Sequence, residues 1–226
     1  VLLHLYSNFV PPDGESQRRI RVAQLSWVRQ PWQELPIQDS DLPRLFVEGT
    51  KKLPYIKDLI NFGANKTADD SILILTNNDT GVRGDCCLQI SAALQNNDAG
   101  YCFRKDFYHR MEKPIADDEV HKGMEYPGSD MFFFRVGWWR TYGQCYPDML
   151  LAREAWDCTL RVLIEETNPN KPLSISNLIY HERHANGWED HSIRYRLPGQ
   201  LYNIGLAISF LKARQLNPQQ FGLPAK

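Results

Sequence analysis

The chain is poor in the features that assign a protein at sight. Its five cysteines, Cys86, Cys87, Cys102, Cys145 and Cys158, are odd in number and contain no CxxC pair. That excludes zinc-ribbon spacing and argues against a disulfide framework. The usage leads us to expect a reduced, cytoplasmic protein. No apolar run approaches the roughly 20 residues that a membrane-spanning helix needs. The opening VLLHLY reads as a strand, not as a charged segment followed by a long apolar one, so no secretory signal is expected. Neither sign of charge dominates. Twenty-six Lys and Arg stand against 27 Asp and Glu, a formal net charge of −1, and such a chain has no global field to gather nucleic acid or an anionic membrane. Internal repeats and low-complexity tracts are absent.

What is present is an ordinary globular composition, 42% hydrophobic and 23% charged over 226 residues. A chain of this size can bury a sizeable core. Residues 1–6 read as a first strand, 15–29 as a helix with an imperfect apolar stripe, 35–44 as a Pro- and Asp-rich connection and 45–47 as a brief strand. A helix is expected from Pro54 to 59, closed by the Asn and Gly residues of 61–65. Residues 85–95 carry apolar side chains at helical spacing, and 100–103 form the next strand. The pattern is lost from 107 to 129, a stretch long enough to be functional or mobile. It returns as a strand over 131–136, a helix from Pro147 and Asp148 through Ile164, a strand over 174–180 and a helix over 202–211. Alternation of this kind predicts an α/β fold with a mostly parallel sheet.

The most telling stretch is Asp69 to Cys87. Its apolar run, Ile72 to Leu75, fits a fully buried strand. That strand ends on Asn77-Asn78-Asp79, followed by Gly81. Ligands of open α/β sheets bind just beyond the carboxyl ends of the strands. An acid placed there can hold a hard cation, and the cation can hold a diphosphate. Asp79 is thus a candidate metal ligand, the plainer alternative being a turn cap. Late in the chain, His181 and His184 follow directly on a strand. They are either further ligands or ordinary polar loop residues.

At this point the order of features resembles the GT-A class of nucleotide-sugar glycosyltransferases. The segment from Asn61-Phe62-Gly63 through ILILTNND is similar to the one these enzymes place before their acidic metal motif. That motif is usually Asp-any-Asp; here an amide, Asn77, replaces the first acid, and an amide is a weaker cation ligand than a carboxylate. Gly128-Ser129-Asp130 followed by MFFFRVGWW resembles the strand and loop facing the acceptor. The stretch from Asp148 through Asp157 is similar to the acidic helix start that supplies the base of inverting members. HERH, residues 181–184, resembles the late histidine that completes the metal site.

The resemblance implies a single GT-A-like domain over 1–226, a Rossmann-type mixed sheet flanked by helices. Residues 1–104 would form the nucleotide-sugar half and 105–226 the acceptor-binding and catalytic half. It implies transfer from a nucleotide-diphosphate sugar, with a UDP-sugar the foremost donor, assisted by Mn²⁺ or Mg²⁺. Metal ligands would be Asp79 with His181 or His184. Donor contacts would come from Ser7, Asn8, Arg19, Asp58, Asn77 and Asn78. The base would be one of Glu154, Asp157, Asp148 and Asp130, with Glu154 and Asp157 on one helix face. Trp138 or Trp139 could offer a stacking platform, one of the pair being core.

Two other readings compete. A nucleotidyltransferase would want a Gly-rich, basic loop after the first strand, and SNFVPPDG has one glycine and no lysine. A binding module without catalysis would explain Asn77. A saccharide or other hydroxyl-bearing acceptor is expected. A modified nucleic-acid base is the minority reading and would draw on Arg183, Arg194, Arg196, Lys212 and Arg214.

Overall fold

The computed structural model describes residues 1–8, 13–168, 170, 173–184 and 196–224. Its strands are β1 (Leu2–Ser7), β2 (Gln33–Ile37), β3 (Leu45–Glu48), β4 (Lys51–Pro54), β5 (Ile72–Thr76), β6 (Gly81–Val82), β7 (Ala99–Phe107), β8 (Met124–Arg135) and β9 (Ser174–Glu182). Its helices are α1 (Gly14–Trp27), α2 (Ile56–Ala64), α3 (Cys86–Ala93), α4 (Val136–Tyr142), α5 (Trp156–Thr167) and α6 (Pro198–Ala213). Seven strands form one sheet in the order β2-β1-β5-β8-β7-β9-β6, and β3 pairs with β4 apart from it. Parallel ladders join β1 to β2 and β5, and β7 to β9. Antiparallel ladders join β8 to β5 and β7, and β6 to β9. So β1, β2, β5, β7 and β9 point one way, with β8 and the short β6 against them. This is the mostly parallel, helix-flanked, GT-A-like sheet that the sequence predicts.

The core is split by the sheet in the way strand alternation dictates. Leu3, Leu5, Leu73, Leu75, Phe132 and Phe134 face one layer, which holds side chains of α2, α4, α5 and α6. Tyr6, Ile74, Met131 and Phe133 face the other, with Ala23 and Trp27 of α1 and Cys86, Cys87 and Ile90 of α3. Strand β8 lies between β5 and β7, so the sheet interleaves strands that are distant in sequence. No described helix is long and apolar enough to cross a membrane.

Several segments differ from expectation for identifiable reasons. Of the 35–44 stretch expected as a connection, residues 35–37 belong to strand β2. Pro36 sits on the edge strand β2, opposite Tyr6, where a missing N–H costs no central hydrogen bond. Pro54 ends β4 instead of opening α2, and its carbonyl accepts from Leu151 N–H at 2.9 Å. The connection 108–123 is packed, with Met111, Ile115 and Val120 buried against Val22, Phe107 and Tyr180. The strand expected from 131 begins at Met124.

The largest correction concerns 147–155, expected as the first turns of a long helix. The helix begins only at Trp156, and Ala152 and Ala155 have φ of 59° and 77°. Contacts from α6 override the apolar periodicity. The side-chain amide of Asn203 takes both the N–H and the C=O of Leu150, at 2.8 and 2.9 Å. Gln200 Oε1 accepts from Glu154 N–H at 3.0 Å. Arg153 makes a buried ion pair with Glu48.

Candidate active site

A cleft of about 810 Å³ opens beyond the carboxyl ends of β1 and β5 and is lined by residues from both halves of the chain. Parallel pairing sets Leu5 beside Leu75, so the two strands end together. Asn78 Nδ2 donates to the carbonyl of Ser7 at 3.4 Å and ties the two loops. Ser7, Asn77, Asn78 and Asp79 all line the cleft. The turn after β5 is fixed from below, since Trp27 Nε1 donates to Thr80 O at 2.9 Å.

Asp79 meets both late histidines. His181 Nε2 lies 3.2 Å and His184 Nε2 3.3 Å from Asp79 Oδ2. One ligand atom from each of the three residues lies within 4.8 Å of the others. His181 is the final-but-one residue of β9, not part of the following loop, so the sheet itself holds it. Burial would push the Asp79 carboxyl up, but the facing charges and hydrogen bonds of His181 and His184 hold it well below the usual carboxylate range. His181 answers in the opposite sense. Burial would lower it, yet Asp79 and Asp106 raise it to about 9. One carboxylate oxygen and two imidazole nitrogens make a donor set suited to a first-row divalent cation; among the expected ions it suits Mn²⁺ better than Mg²⁺, which prefers oxygen alone.

The same cleft is lined by three of the four carboxylates proposed as base: Asp130, Glu154 and Asp157. Two of them are committed. Asp130 Oδ2 accepts from Arg104 Nη1 at 2.6 Å, and Glu154 Oε2 accepts from Gln200 Nε2 at 2.6 Å. Asp157 lies in the first turn of α5 and takes a long 3.4 Å bond from Ser129 N–H. Burial and the charge of Asp130 raise its pKa, against the backbone amides of Cys158 and Ser129. Glu154 and Asp157 do not share a helix face, because Glu154 precedes the helix.

The remaining expectations fall elsewhere. Asp148 is paired with Arg44 at 2.7 Å and Lys57 at 3.4 Å and is not among the cleft-lining residues. Asp58 is buried under the same Arg44, bonded to Nε and Nη2 at 3.0 and 2.8 Å. Arg19 turns back along α1 to Ser16 Oγ at 2.6 Å. Asn8 lines a smaller recess beside the cleft with Tyr6, Gln17 and Asn78. Trp138 and Trp139 are both core, 4% and 3% exposed against Phe134, so neither is a platform. Of the basic residues considered for nucleic acid, Arg214 pairs with Glu166 at 2.6 Å and Arg194 lies outside the described residues. The sequence reading missed Arg104 and Asp106. Both were legible as alternate positions of one strand, had β7 been extended from 103 to 107.

No protein-family model matches the chain. No curated protein matches it. Among solved structures the chain is similar to S. aureus TarS 1–349, with a TM-score of 0.50 and 10% identity over 100% of this chain and 75% of that one. Two complexes of the same protein also match. The one with UDP has a TM-score of 0.46 and 8% identity, over 96% and 73% of the two chains. The one with UDP-GlcNAc has a TM-score of 0.49 and 10% identity, over 100% and 76%. The first of these likenesses establishes a shared fold.

Proposed function

We propose that this chain is a metal-assisted glycosyltransferase that moves a sugar from a nucleotide-diphosphate donor to an acceptor hydroxyl. One observation carries the reading: Asp79, His181 and His184 converge at the carboxyl end of a central strand, inside a cleft large enough for such a donor. A divalent cation held by these three residues would supply charge stabilisation for a departing diphosphate. Ser7, Asn77 and Asn78 lie where the two strand ends meet and would position the nucleotide. A UDP-sugar is the first donor to test. Residues 1–104 supply this donor side, and 105–226 supply the two histidines and the wall that faces the acceptor.

Asp157 is the base we favour. It has no ion-pair partner among the described residues and lines the same cleft. An attacking hydroxyl within hydrogen-bond reach of its carboxylate would give up its proton there as the new bond forms. With such a base the anomeric centre is inverted. Asp130 and Glu154, held by Arg104 and Gln200, line that cleft with it. A saccharide or other hydroxyl-bearing acceptor is the first acceptor class to test. All five cysteines are free thiols, which supports a reducing, cytoplasmic setting.

The test is a thermal-shift screen of UDP- and GDP-sugars with and without Mn²⁺, followed by assay of donor hydrolysis. A ligand that binds the native state raises its melting temperature. We expect stabilisation by one nucleotide sugar that depends on Mn²⁺, and slow metal-dependent hydrolysis of that donor. Binding without any turnover would instead favour a binding module, the reading that Asn77 supports. Absence of both would contradict the proposal.

A further inference from the structure

We infer that Asp106 is a positioning residue for His181, fixing which imidazole nitrogen faces the metal site; the inference rests on the metal-assisted reading above. Strand geometry makes the case. Asp106 and His181 are direct partners in the parallel β7–β9 ladder. Neighbouring strands lie about 4.8 Å apart, so paired residues present their side chains to each other on one face. Asp106 Oδ1 lies 3.5 Å from His181 Nδ1, on the far side of the ring from Asp79. The imidazole therefore stands between two carboxylates, with Nε2 toward the cleft and Nδ1 toward Asp106. Both side chains are buried, His181 3% and Asp106 2% exposed.

Asp106 is itself held. Arg104, two residues earlier and so on the same face of β7, places Nε 2.9 Å from Asp106 Oδ1 and Nη1 2.6 Å from Asp130 Oδ2. Arg183 Nη1 approaches Asp106 Oδ2 at 3.6 Å. These are ion-pair contacts. His181 Nδ1 and both oxygens of Asp106 make no aligned hydrogen bond, although buried polar groups are nearly always satisfied. A small turn of the ring, of the kind that ligation through Nε2 would bring, closes the 3.5 Å gap into an Nδ1–H donation to Asp106. Second partners of this kind fix the tautomer of a ligating histidine and raise its basicity.

The register that permits this comes from an irregularity. Cys102 pairs with Ile175, and an unbroken ladder would bring Asp106 to Ile179. The register instead shifts between Cys102 and Arg104, so that Arg104 meets Ile179 and Asp106 meets His181. Asn177, at φ 57°, lies in the inserted stretch. A shift of two residues preserves which face each side chain occupies.

The test titrates Mn²⁺ into the metal-free full chain and reads free Mn²⁺ by electron paramagnetic resonance. Loss of an outer partner of a ligating histidine typically weakens metal binding by about 10- to 100-fold. We expect that loss in Asp106→Asn. Asp130→Asn removes the other partner of Arg104 without touching His181, and should change affinity by less than about 3-fold, well below that range. Equal affinity in wild type and Asp106→Asn, or an equal loss in both variants, would overturn the positioning role. Failure of the wild type to bind Mn²⁺ would overturn the metal reading itself. A measurement on the wild type guards against a variant that does not fold. With Zn²⁺ as a diamagnetic probe, histidine ¹⁵N spectra should show His181 ligated through Nε2 with a proton on Nδ1. Ligation through Nδ1 would overturn the inference.

Discussion

Asp157 and Glu154 stand three residues apart in sequence but in different surroundings, and the difference is measurable. Asp157→Asn removes a carboxylate that makes no ion pair among the described residues. General-base catalysis contributes typically about 10²- to 10⁴-fold, so kcat should fall by that order while the donor KM stays near wild type. Glu154→Gln keeps a hydrogen-bonding group beside Gln200, and its kcat should fall by less than about 10-fold. Steady-state kinetics on the two variants decides between them, and a larger loss in Glu154→Gln would reassign the base.

His181 gives a second residue-scale expectation, for the metal-free protein. Its pKa is raised from 6.5 to about 9 in the fold. The stabilisation this represents is fully present below the unfolded value and is lost as pH rises through the folded one. The melting temperature of wild type should therefore exceed that of His181→Asn most at low pH, and the gap should shrink as pH passes 9. A gap independent of pH would contradict the charged imidazole between two carboxylates.

Among elements, β9 decides most. Its apolar residues were readable, but its insertion at Asn177 was not, because a bulge leaves no hydrophobic signature. An asparagine tolerates the left-handed conformation, whereas a β-branched residue there costs roughly 1–2 kcal/mol. Asn177→Val should lower the melting temperature, and should weaken Mn²⁺ binding through the displaced His181 register. Asn177→Gly should do much less of either. Calorimetry with metal titration checks both, and unchanged binding in a destabilised Asn177→Val would uncouple the bulge from the site. The 147–155 segment failed as a helix for a different reason. Its apolar spacing is helical, but Asn203 and Gln200 claim its backbone groups from more than forty residues away, at separations of 53 and 46 residues. No local pattern encodes that.

Taken as a whole, the molecule was legible where burial is simple. Strand β5, buried on both faces, and the acid beyond its end were visible as a short apolar run followed by Asn-Asn-Asp. The approach of His181 and His184 to Asp79 was expected from the resemblance, whose late block placed a histidine at the metal site, and their position after a strand agrees with it. Residues assigned by analogy alone fared worse. Arg19 found a partner in Ser16, and Asp58 and Asp148 both found one in Arg44, since charged groups settle with whatever opposite charge or hydrogen-bonding group the packing places beside them. The tryptophan pair went to the core because α4 turns it onto Phe134, away from the cleft.

The central claim is that Asp79 anchors a cation within this cleft. Calorimetric titration of Mn²⁺ into the metal-free chain in the presence of UDP tests it most directly, with wild type and Asp79→Ala side by side. The account predicts a binding isotherm for wild type and none for Asp79→Ala, with unchanged far-ultraviolet circular dichroism. Equally tight binding in the folded variant would contradict it.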